Sequence, residues 1–171
     1  MGRLEPRIKG PRPEVAATRG SNNREIKMNI KLGQVILAGV IGTAAMTAVG
    51  LWIAPMMGLP PMNPAVMLAG AMGGILALGW LAHFMIGITL AAGYGLFGSR
   101  FPGPGFVRGA LYGIIPFFMA QIVVMPMMGM PLFSGSAAMA MGSLVGHLVY
   151  GGFVGGVYGE AEEARAAPAA A

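Results

Sequence analysis

The chain contains no cysteine, which excludes disulfides, thiolate metal sites and cysteine nucleophiles. It contains no Asp, and its Glu residues stand only at Glu5, Glu14, Glu25, Glu160, Glu162 and Glu163. No charged residue of either sign occurs from Leu32 through Ser99, or from Gly109 through Gly159. Charged residues make up 10% of the chain, against about a quarter in soluble domains. A proton relay of Asp, Glu and His cannot be assembled within such runs, and no acid is at hand to orient a Ser-His pair. Catalysis is therefore not expected. The long segments do not alternate polar and apolar residues, so the strands of a membrane β-barrel are excluded as well.

What remains is apolar. Hydrophobic residues make up 56% of the sequence, with 29 glycines and 16 methionines. Each uncharged run is long enough for two spans of about 20 residues. The expected fold is an all-α integral membrane protein with four transmembrane helices, arranged as two tandem parallel helical-hairpin repeats. The first hairpin covers residues 32–98, with spans near 33–54 and 75–97. A loop at 99–105 leads to the second, over 106–159, with spans near 106–125 and 137–158. Residues 65–72 have the composition of a short interfacial helix, and Gly73-Gly74 permits a bend after it. Pro116 is expected to kink the third span.

Eight of the 11 basic residues precede Leu32, and the net charge of +5 arises outside the uncharged runs, in the ends of the chain and the Arg100/Arg108 loop. Residues 1–31 read as a disordered cytoplasmic tail, and residues 160–171 as a second, Ala-rich cytoplasmic tail. Basic residues that flank a span favour anionic lipid over nucleic acid. With the basic tail and the Arg100/Arg108 loop inside, both termini are cytoplasmic and both intervening turns face outward. Trp52 and Trp80 then fall near the outer interface and Tyr94 and Tyr158 near the inner one, as aromatic interface anchors.

The two hairpins carry the same words. His83, Gly87, Tyr94 and Gly95 recur 64 positions later as His147, Gly151, Tyr158 and Gly159, using both histidines of the chain. On a helix these spacings return His, Gly and Tyr to one face. The turn Pro55-Met56-Met57-Gly58-Leu59-Pro60 recurs as Pro126-Met127-Met128-Gly129-Met130-Pro131. Hairpins of the same orientation would be related by an axis along the membrane normal.

Few side chains here bear chemistry, and each supports more than one reading. Gly105, Gly109 and Gly113 form a stripe, as do Gly151 and Gly155, and Gly87 with Ala91 repeats the spacing. Small residues four apart let helix backbones approach closely in lipid, within one chain or between copies of it. His83 and His147 lie near mid-span. One reading is a neutral imidazole bonded across the interface to Thr43, Thr47 or Gln121. The other is a pair of ligands for a b-type haem. Met56, Met57, Met127 and Met128 gather at the duplicated turns, where thioethers suit Cu(I) if they are not simply filling gaps. Ser143 and His147 share a face, read as a structural hydrogen bond.

Several of these residues also carry a resemblance. The series Leu78-Gly79-Trp80, His83-Phe84, Gly87, Pro102-Gly103-Pro104, Arg108-Gly109, Val123-Val124-Met125-Pro126, His147-Leu148, Tyr150-Gly151 and Tyr158-Gly159 resembles a family of small bacterial four-span membrane proteins. That family is known only as a domain of unknown function, and the resemblance covers roughly Met28 to Gly159. It implies four spans and a prokaryotic plasma membrane, and no activity, cofactor or catalytic residue. The resulting expectation is a non-enzymatic multi-pass protein without cofactor, an accessory or assembly subunit in a bilayer. Homo-oligomers or a larger membrane complex are the partners it would take. A haem b- or copper-binding redox component and an oligomeric small-solute transporter are the alternatives.

Overall fold

The computed structural model describes the backbone of residues 32–166 and the side chains of residues 32–159. The expected basic tail over residues 1–31 lies outside the described residues. The described residues from Gln34 onward belong to one compact unit. Its described elements are all helical: α1 (Leu32–Met56), α2 (Pro64–Ala71), α3 (Leu76–Phe97), α4 (Gly105–Met127) and α5 (Ala137–Ala166). Four stretches are long and apolar enough to cross a membrane: Leu32–Met56, Leu76–Arg100 (α3 with the 3-10 turn that follows it), Gly105–Met127 and Ala137–Gly159. The spans expected from the sequence agree to within a few residues. The helix α5 itself runs on past the fourth apolar stretch, to Ala166, so the expected second tail begins as helix. Glu and Ala, which dominate that stretch, are good helix formers.

Prolines set the ends of α1 and α4. Each helix widens to a π-turn, at Val49–Ile53 and at Ala120–Val124. A short α segment follows, Ala54–Met56 and Met125–Met127, with proline in its first turn. Proline lacks an N–H and crowds the carbonyl four residues back, and a wider turn relieves that crowding. Gly58 and Gly129, at φ 79° and 76°, then close the two helices in the same way. The Leu59 amide donates to the Ala54 carbonyl at 3.1 Å, and the Met130 amide donates to that of Met125 at 3.0 Å. The two turns are thus copies in backbone geometry as well as in sequence. Pro116 lies inside α4, whose α-helical part Gly105–Met119 runs through it.

The short helix α2 has no counterpart after α4. The Asn63 side chain accepts from the Ala65 and Val66 amides at 3.0 and 3.3 Å, and Pro64 supplies the first helical position. Gly73 and Gly74, at φ 73° and 81°, turn the chain into α3. α2 then folds back along α3, where Gly79 approaches the backbone of Ala65 and Ala69.

Close backbone contact runs along α4 and α5. A Cβ at Gly109 would meet the Gly151 carbonyl, one at Gly155 would meet that of Gly105, and one at Gly113 would meet that of His147. α1 lies between α3 and α5: Gly39 packs on the Ile88 backbone, and Gly42 on Tyr150 and Val154. Two hydroxyls tie the ends together, Tyr112 donating to the Leu90 carbonyl at 2.8 Å and Tyr158 to that of Ala91 at 3.2 Å. At the end of the bundle where α3 passes into α4, the Tyr94 ring stands edge-on to Tyr112 and Tyr158 at 5.3 and 5.2 Å. Tyr94 is buried and Tyr158 half-buried, so these two rings pack inward instead of standing outward as anchors. Each lies on the face that meets a neighbouring helix, and the mutual edge contact favours that burial. Trp52 is exposed on α1, and Trp80 lies half-buried beside His83 and Phe84.

Candidate intramembrane binding site

α3 and α4 meet through Tyr94, Tyr112 and Leu90, near the loop that joins them. Toward the Pro-Met-Met-Gly turns, a cavity of about 540 Å³ lies among all five helices. That is within the range of small-molecule sites, roughly 300–1,000 Å³. Ile86 on α3 and Met119 on α4 line the cavity and are also 46% and 53% exposed. The cavity therefore opens sideways between these two helices. Its walls are apolar and include eight methionines, among them Met46, Met62, Met119 and Met125. Unbranched thioether side chains adapt to irregular occupants.

The polar side chains gather at His83 and His147, which both line the cavity. Thr47 donates its hydroxyl hydrogen to the Thr43 carbonyl at 2.7 Å. Its oxygen then stands 3.0 Å from His83 Nε2 and can only accept there. His83 is thereby held as the Nε2–H tautomer, with a lone pair on Nδ1. The second histidine follows the same logic with its nitrogens exchanged. His147 Nδ1 lies 2.8 Å from the Ser143 carbonyl, which can only accept, so Nδ1 carries the proton and Nε2 the lone pair. Ser134 donates to Gln121 Oε1 at 3.0 Å, and Gln121 Nε2 donates to Ser143 Oγ at 2.9 Å. The chain Ser134–Gln121–Ser143–His147 thus joins α4, the connection after it and α5.

Phe133 and Ser134 both adopt positive φ, 54° and 59°. Non-glycine residues pay for that conformation. It holds the Ser134 hydroxyl on Gln121, while the Phe133 ring packs on Phe117 and Phe118 at 6.5 and 6.4 Å. Gln121 is fully buried, so its amide requires these partners. Across the cavity, Tyr150 donates to the Gly87 carbonyl at 2.6 Å. The Thr43 side chain fills the space that a Cβ at Gly87 would need. Thr43 Oγ1 is the one sealed side-chain atom without a hydrogen bond among the described residues. His83 Nδ1 and His147 Nε2 also lack protein partners there, yet neither is sealed, so both remain open to an occupant.

The residues singled out in the sequence divide accordingly. His83 and His147 come together on one cavity, within electrostatic range of each other. Gly87 lines it too, while Gly105, Gly109, Gly113, Gly151 and Gly155 make the α4–α5 contact. Of the four turn methionines named for copper, Met56, Met57 and Met127 are 86%, 64% and 81% exposed, and Met128 lines the cavity. Their turns place them at the ends of two separate helices, and the π-turns aim them away from the bundle. Among the described residues no three of His, Cys, Asp and Glu come together, so a metal here would rest on two imidazoles and thioethers. Tyr150 and Met46 belong to the site without having been singled out. Tyr150 follows His147 by three residues, where the first copy has Ile86 after His83, and that asymmetry was its signal.

No curated protein and no solved structure matches the chain. A family match, in contrast, extends over residues 31–169 and takes in the duplicated histidine motif, both proline turns and every helix described above. The chain belongs to that family, described as a family of unknown function (DUF6789).

Proposed function

We propose that this is a non-enzymatic multi-pass protein of a prokaryotic plasma membrane that holds a lipophilic small molecule between its spans. In this reading it acts as an accessory subunit for a molecule of the lipid phase. The cavity carries the reading: apolar walls, a sideways opening between α3 and α4, and a polar end bearing both histidines. In a spanning orientation that opening faces acyl chains, and an apolar ligand would enter without crossing water. The reading also takes the two hairpins as parallel repeats with both termini cytoplasmic. The copied π-turns of α1 and α4 and the basic residues at Arg100 and Arg108 support it.

The test is extraction of the protein into nanodiscs directly from its host membrane, followed by mass spectrometry of the organic extract. A small molecule should co-purify in stoichiometric amount. It should be lost from Gly146→Leu, because Gly146 lines the cavity and a Cβ there meets Met46 at an ordinary 3.4 Å. That variant is expected to fold and to fill the site. Equal extracts from the two proteins would overturn the proposal.

A second reading is favoured by the two open imidazole nitrogens on one cavity. They could ligate a b-type haem, or Cu(I) together with cavity thioethers. The absorbance spectrum described below addresses the haem form.

A further inference from the structure

The hydrogen bonds around the two histidines specify what kind of head group the cavity takes. Each imidazole spends its N–H on the protein, His83 through Nε2 to Thr47 and His147 through Nδ1 to Ser143. Each therefore turns a lone pair, not a proton, toward the cavity. The neighbouring donors are already engaged: Tyr150 on the Gly87 carbonyl, Ser134 on Gln121, and Thr47 on the Thr43 carbonyl. The Thr43 hydroxyl is sealed from the cavity. Beside the histidines two hydrogens have no assigned acceptor: that of the Ser143 hydroxyl, whose oxygen receives one N–H of Gln121, and the second N–H of the Gln121 amide. Asn63 also lines the cavity; its side-chain oxygen caps α2 and its NH2 group is a further donor.

The protein leaves two imidazole acceptors open beside these donors, in an uncharged cavity with apolar walls, and a hydroxyl, which both donates and accepts, can match both kinds. A buried acceptor left unmatched costs free energy, and an acceptor-only head group would leave two of them unmatched. A carboxylate would face imidazole lone pairs with no cation nearby; the nearest described arginines, Arg100 and Arg108, lie at the opposite end beyond Tyr94 and Tyr112.

We propose that the cavity selects a lipophilic molecule whose head carries hydroxyl donors, a phenol or a diol, with His83 Nδ1 and His147 Nε2 as its two acceptors. This deepens the binding reading above and rests on it. Molecules that offer carbonyl or ether oxygens of the same shape are discriminated against. A hydroxylated ring whose two O–H groups are later oxidised to carbonyls would lose both bonds, so binding reports the reduced, protonated form of such a pair.

The experiment uses the full chain in nanodiscs with a long-chain alkylresorcinol, its mono-O-methyl ether and its di-O-methyl ether. Affinity is read from the rise in thermal midpoint against the mole fraction of each compound in the bilayer, which removes differences in partitioning. The diol should bind roughly tenfold or more tightly than the dimethyl ether, with the mono-ether between them, as expected for two hydrogen bonds of ordinary net strength. His83→Phe and His147→Phe should each reduce that preference to roughly threefold. The comparison of compounds on the wild-type protein does not depend on either variant folding. Equal binding of diol and dimethyl ether would overturn the donor preference while leaving the lipophile pocket intact. Failure of all three to shift the midpoint would overturn the pocket reading itself, and the preference with it.

Discussion

Gly155 and Gly156 are neighbours in α5, and the fold predicts opposite outcomes for the same substitution. A Cβ at Gly156 meets nothing within 4 Å. At Gly155 it would strike the Gly105 carbonyl and lie 2.7 Å from both the amide nitrogen and Cα of Gly109. These obstacles are backbone atoms of α4, which cannot rotate aside, so the helices must separate by on the order of 0.5–1 Å. Such a gap forfeits a quarter to a half of each dispersion contact at the seam. The seam continues through Gly109 with Gly151 and Gly113 with His147, so the loss is spread along it. Overpacking costs of about 1–3 kcal/mol are usual, and the immobile obstacles place Gly155→Ala toward the upper end. Both substitutions gain the same helix propensity, about 1 kcal/mol. The pair should therefore differ by about 2–3 kcal/mol, with Gly156→Ala neutral or slightly stabilising. Reversible unfolding in mixtures of mild detergent and dodecyl sulfate measures the difference. Equal midpoints for the two variants would refute the close α4–α5 approach.

Other consequences are as direct. Tyr150→Phe removes the donor to the Gly87 carbonyl and should cost about 1 kcal/mol in the same unfolding assay. Thr47→Val leaves His83 Nε2–H unpaired in a buried site and should cost about 1–3 kcal/mol, whereas Thr47→Ser should retain most of the stability. The chain has no cysteine, so single replacements report topology cleanly. Met56→Cys and Met127→Cys, both at exposed positions, should react with an impermeant maleimide from outside the cell and Ser99→Cys should not. The reverse pattern would overturn the cytoplasmic placement of the termini. In a reduced-minus-oxidised spectrum after expression with ample haem, a b-type signal abolished in both His83→Ala and His147→Ala would establish the haem reading. A colourless protein would end it.

The aromatic residues show why hydropathy alone misplaced part of the chain. Tyr94 and Tyr158 stand near the ends of their spans, and position along a span predicts an interface anchor. Their direction around the helix axis decides otherwise, because Tyr158 must reach the Ala91 carbonyl and its ring meets Tyr94 edge-on. The histidines were legible as a pair because the motif is duplicated. That they share a cavity was not, since two copied helices can face one another or face apart. Ser134 illustrates a further limit: its role depends on two consecutive residues at positive φ, a conformation that Phe133 and Ser134 do not advertise. The methionines of the turns differ in exposure in a way that their sequence does not show. The π-turns before them, which no hydropathy profile reveals, leave Met56 and Met127 pointing outward.

Sequence alone determined the helical class, the four stretches long and apolar enough to cross a membrane and the duplication of the turns. These follow from run length, charge and proline placement, all properties of the chain read in one dimension against the thickness of a bilayer. Tertiary structure decided which faces meet. In lipid the helices gain nothing by hiding apolar surface, so their arrangement rests on close packing at Gly105, Gly109, Gly151 and Gly155 and on bonds such as Tyr150 to Gly87. From that packing come the cavity among the five helices, the two imidazoles on it, and the tautomers that leave each with a lone pair to offer.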